Sequence, residues 1–117
     1  MGYLDSFVCA VPNDSREAYR IHAEKAAQVF KSFGAERVVD AWGDDIPEGK
    51  LTSFPMAVKC KENETVVLSW IIWPSKEVRD EGMAKFMKDP ICNMEENPLP
   101  FDGQRMIFGG FNVLVDI

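Results

Sequence analysis

An α+β fold is expected for this chain: an antiparallel sheet with two helices on one face and an extra strand at its edge. Three observations predict it. The run from Glu64 to Pro74, ETVVLSWIIWP, reads as a strand that is apolar on both faces. Two amphipathic helical patterns lie on either side of it in the chain. The segments follow the order strand, helix, strand, strand, strand, helix, strand. In the central run Val66, Leu68, Trp70 and Ile72 point one way, and Val67, Ile71 and Trp73 the other, so it needs cover on two sides.

Composition bounds the rest. A chain of 117 residues with 46% apolar content suits one domain over residues 1–117, with a core that needs neither disulfide nor metal. A net charge of -6 speaks against nucleic-acid binding, which draws on Lys and Arg to neutralise phosphates. No run approaches the roughly 18 apolar residues of a membrane span, and MGYLDSFVCAVP lacks the basic lead of a signal peptide. Cys9, Cys60 and Cys92 are odd in number and far apart, which fits reduced thiols and a cytoplasmic location.

Tyr3 to Val11 is the first strand, closed by Pro12, with neither face plainly polar. Asn13-Asp14-Ser15 offers a helix start, Asp14 and Glu17 having capping-box spacing. The helix should run from about Ser15 to Phe33, with Tyr19, Ala23, Ala26, Val29, Phe30 and Phe33 as its apolar stripe and Gly34 as a left-handed stop. Ala35 to Trp42 is a second strand, and GDDIPEGK a loop. Phe54 to Lys61 alternates, with Met56, Val58 and Cys60 inward and lysines outward, as an edge strand does; Glu62-Asn63 would turn it into the central strand.

Ser75 caps a second helix with Val78, Gly82, Met83, Phe86 and Met87 as its buried stripe. The interior Gly82 implies a close approach. Ile91 to Gly103 has no periodicity and reads as a lid or a dimer arm. The last strand, Arg105 to Val115, is interrupted by Gly109-Gly110, as a bulge or a nearby backbone would require.

This order is the ferredoxin-like arrangement, in which two helices cover one sheet face only. The other face is expected to carry Val67, Ile71, Trp73, Ile107 or Met106, and Phe111 or Phe108. Leaving five or six such side chains in water would forgo on the order of 10 kcal/mol, comparable with a domain's whole stability. A homodimer joined through the helix-free face follows.

The runs FVCAVP, YRIHAEKAAQVFKSFGA, AWGDDIPEGK, SWIIWPSKEVRDEGM and PFDGQRMIFGGFNVLVD resemble those of domain-of-unknown-function family 1428, the YbaA-like bacterial proteins, over nearly the whole chain. The resemblance implies the dimeric α/β-barrel superfamily. That fold is shared by cofactor-independent monooxygenases, muconolactone isomerase-like proteins, haem-handling dismutases and regulatory ligand-binding modules. It implies a fold without an established activity or cofactor.

Two functional readings stand. One is a small-molecule site between helices and sheet. There His22, the single histidine, would act as acid/base or ligand donor, Trp42 and Trp70 as flat walls, and Arg79 or Arg105 as anion partner. Asp44, beside Asp45, is a further contact candidate. No His or Cys follows at metal-ligand spacing, so hydrated loop carboxylates are expected there rather than a metal site. Each residue also has a plain structural role open to it: His22 as a hydrogen-bonded core-edge imidazole, the tryptophans as core, the arginines as snorkelling surface groups. The other reading is a non-catalytic dimeric module. Haem ligation by His22 lacks a second identifying feature.

Overall fold

The computed structural model describes residues 2–117. Four strands form one antiparallel sheet: β1 (Tyr3–Pro12), β2 (Arg37–Trp42), β3 (Glu64–Trp73) and β4 (Ile107–Asn112), in the order β2-β3-β1-β4. With helices α1 (Arg16–Ser32) and α3 (Lys76–Phe86) this is the ferredoxin-like topology. The two central strands pair along their full length, Tyr3 opposite Trp73 and Pro12 opposite Glu64.

One face of the sheet is buried under the helices. Tyr3, Phe30, Ala35, Ile71 and Trp73 form one buried cluster, and Cys9, Val11, Tyr19 and Val67 another. Phe30 of α1 stacks on Phe86 of α3 at 3.8 Å and meets Trp73 edge-on at 6.2 Å, so one ring joins both helices to the sheet. This reverses the expected facing of the central strand. Val67, Ile71 and Trp73 lie beneath the helices, and Val66, Leu68, Trp70 and Ile72 occupy the opposite side. Both faces of that strand are apolar, so its composition carries no sign that distinguishes them.

The expected edge strand at 54–61 is absent from this sheet. Its place is taken by a one-turn helix, α2 (Phe54–Ala57), whose first turn is closed by the Ser53 hydroxyl accepting from the Met56 N–H at 3.1 Å. Pro55 sits in that first turn, where its missing N–H costs nothing, and would have broken a strand ladder. Lys59 takes a positive φ of 49°, and Glu62-Asn63 do turn the chain, the Glu64 N–H donating to the Lys61 carbonyl at 3.0 Å, but with no strand before the turn there is no hairpin. The segment instead folds back over the helix-free face and buries Val58 against Val8, Ala10 and Val66.

Smaller differences have similar causes. No side-chain bond caps α1: the Asp14–Glu17 box does not form, and Glu17 accepts from Arg20. Gly34 holds the left-handed conformation beyond α1 at φ 111°. Met87 is exposed and not part of the α3 stripe. Gly109 and Gly110 pair in register with Ser6 and Asp5, so β4 has no bulge there. A Cβ at Gly110 would strike the Tyr3 hydroxyl and the Arg79 guanidinium, so what comes close there is a pair of side chains and not another backbone. The 91–103 segment carries short 3₁₀ turns at Pro90–Cys92 and Gly103–Arg105.

Candidate functional site

Between α1 and the sheet runs a cleft with two chambers. Small side chains on α1 create it: Ala23 and Ala27 leave space above Val38 and Asp40 of β2, and both chambers share these residues with Tyr19. The outer chamber, about 360 Å³, opens beside Arg16 and Trp42. The inner one, about 170 Å³, runs toward His22, Phe30, Phe86 and Phe101.

The polar groups of the cleft centre on Asp40. Strand alternation turns it to the same side as Val38 and Trp42, under α1. Its Oδ1 accepts the Tyr19 hydroxyl at 2.7 Å. Burial, reinforced by the Asp40 charge, pushes the Tyr19 phenol well above its ordinary value, so it stays a donor. Burial likewise pushes the Cys9 thiol up to about 12, which keeps it protonated and unreactive. His22 is held below its ordinary value by burial, with the Asp40 charge opposing, which favours its uncharged form.

The structure brings together only part of the expected constellation. His22 lines the inner chamber and Trp42 the outer one. Trp70 lies on the helix-free face, opposite Ser6 and Val39. Asp44 borders a separate hollow of about 150 Å³ beyond Trp42. Arg79 is engaged by Asp5 and Asp80, and Arg105 by Glu64, Asp102 and the Lys59 carbonyl. Tyr19, Asp40, Cys9 and Arg16 were not among the expected residues. The legible signal was an aspartate set between Val38 and Trp42 on the side of a strand that faces a tyrosine-bearing helix stripe. Among the described residues, no group of three or more His, Cys, Asp or Glu side chains is arranged to hold a metal ion.

The sequence profile of a family described as "Protein of unknown function (DUF1428)" matches residues 2–103. The chain is 55% identical over 116 residues to the "Uncharacterized protein YbaA" of Escherichia coli (strain K12), with 99% of each covered; the YbaA of Shigella flexneri matches equally. Among solved structures it resembles a dimeric ferredoxin-like protein from an uncultured marine organism, at TM-score 0.61 and 14% identity, with all of both chains covered. It also resembles Rv0793 from Mycobacterium tuberculosis, at TM-score 0.53 and 13% identity, covering 99% and 98% of the two chains. At these identities the structural likeness is one of fold.

Proposed function

The chain belongs to the DUF1428 family of uncharacterised proteins, and from that premise we propose that it is a homodimeric small-molecule-binding module with its ligand in the cleft between α1 and the sheet. The observation that carries this reading is the outer chamber. It has the size of known ligand sites, is mostly apolar in its walls, and holds a tyrosine–carboxylate pair. The pairing of two copies is supported by the helix-free face, where Phe111 is 53% exposed beside Leu4, Trp70 and Ile72. A structural relative described as dimeric adds to that support.

Native mass spectrometry of freshly purified protein tests both parts. The expected species is a pair of chains that releases a small molecule on activation; a single bare chain at micromolar concentration would overturn the proposal. His22→Ala is expected to lose the retained molecule and keep the pair. If it melts earlier while retention is unchanged, His22 has a structural role only.

A second reading is favoured by one observation, the place of His22 in the wall of the inner chamber, where burial favours its uncharged form. It makes the protein a cofactor-independent enzyme with His22 as its acid/base. Wild-type protein would then convert the retained compound on incubation, and His22→Gln would return it unaltered.

A further inference from the structure

Asp40 is the carboxylate common to both chambers. One of its oxygens takes the Tyr19 hydroxyl. Among the described residues no Lys, Arg or His reaches it at ion-pair distance. The nearby cations are diverted elsewhere. Arg20 bonds Glu17 and Glu24, and the Arg16 guanidinium lies 5.2 Å over the Trp42 ring. Burial holds His22 below its ordinary value, which favours its uncharged form.

The outer chamber is therefore lined by three carboxylates, Glu17, Glu24 and Asp40, against two guanidiniums, in a chain of net charge -6. Such a field repels an anionic guest and draws in a cationic one. Asp40 is exposed at the open side of the cleft with one oxygen free of any cation, so a guest that brings its own N–H donors can reach it with a charge-assisted hydrogen bond. The remaining walls suit a flat apolar body, with Ala23 and Ala27 on one side and Val38 and Val67 on the other. The face of Trp42 is covered by the Arg16 guanidinium, which leaves Asp40 as the group that a guest's charged end would meet.

Resting on the ligand-binding reading above, we infer that the cleft takes a flat, apolar molecule bearing a protonated amine, with Asp40 as its countercharge. The shape of the cleft selects the ring, and the carboxylate selects the charge.

The test is isothermal titration of the wild-type protein at pH 7 with three indoles of like ring and different charge: tryptamine, 3-methylindole and indole-3-propionate. Tryptamine is expected to bind at least about tenfold more tightly than either of the others, the worth of one charge-assisted contact. Asp40→Asn should bring tryptamine to the level of 3-methylindole and leave 3-methylindole unchanged. If 3-methylindole binds and tryptamine gains nothing over it, or if indole-3-propionate matches tryptamine, the inference fails while the cleft remains a ligand site. If tryptamine binding survives Asp40→Asn, Asp40 is not the countercharge and the inference fails. If none of the three binds, the inference fails, and the cleft reading is decided separately by whether native mass spectrometry finds a retained molecule. Should Asp40→Asn fail to fold, the wild-type series decides alone.

Discussion

Arg79 grips the Asp5 carboxylate with two prongs, Nε at 3.1 Å and Nη2 at 2.9 Å, while the Trp73 indole N–H donates to the same group at 2.9 Å. Asp5 is only 3% exposed and lies beneath the helices. This pair ties α3 to the central strands, and removing either partner has an unequal effect. Arg79→Ala strands a buried charge and should cost about 3 kcal/mol in urea denaturation. Asp5→Asn keeps an acceptor for Trp73 and leaves Arg79 its bond to Asp80, so it should cost less. Equal losses would show that the charge itself is immaterial.

Gly82→Ala tests the close approach of α3 to the sheet. Helix propensity alone would favour alanine by about 1 kcal/mol. A Cβ there would lie 2.5 Å from the Trp73 ring and 2.7 Å from the Phe33 carbonyl, and the ring is fully buried and cannot yield. Overpacking should win, with a net loss of about 1–3 kcal/mol by thermal or chemical melt. A gain would mean that the helix shifts freely.

The Glu64–Arg105 pair sets an acid limit. The Arg105 hydrogen bonds hold the Glu64 carboxyl down at about 2, from an ordinary 4.5. A carboxyl whose folded value is depressed adds stability above the unfolded value and loses it as pH falls through the folded one. The stability gap between wild type and Glu64→Gln should therefore be full above about pH 4.5 and close progressively toward about pH 2. A gap independent of pH would sever the effect from ionisation.

Ala27→Leu should fill the space shared by the two chambers. It keeps good helix propensity and adds apolar contact, so the melting temperature should hold or rise while retention of any small molecule is lost. Undiminished retention would locate the guest elsewhere.

Phe111→Asp should convert a pair of chains into single ones in light scattering, with the fold intact by circular dichroism. Phe111 sits on β4 opposite Leu4, on the helix-free side. A pair that survives this charge is not joined there.

Much of the architecture was legible because periodicity reports it directly: α1, α3 and the four strands all follow from apolar spacing, and the Ser75 cap is real, its hydroxyl accepting from Val78 at 3.2 Å. What was lost depended on contacts between residues remote in sequence. Alternation at 54–61 resembled a strand, and only Ser53 and Pro55 together disclosed a helix turn. The facing of Ile71 and Trp73 was settled by Asp5, whose partner Arg79 lies 74 positions away. On α1, Ala23 read as core and Ala27 lay outside the expected stripe, yet the small size of both leaves the cleft open. Trp70 and Asp40 show the same difficulty from two sides: one is an apolar strand residue turned away from the helices, the other a charged one turned toward them.

Val58 shields one end of the helix-free face from within the same chain, by lying on Val8, Ala10 and Val66. The loop that delivers it thereby sets how much sticky surface the molecule presents. Shortening that loop would leave the strands knit together and strip the awning from three more aliphatic side chains. The harm would then appear in the test tube as clumping and poor yield, well before any loss of folded structure could be measured.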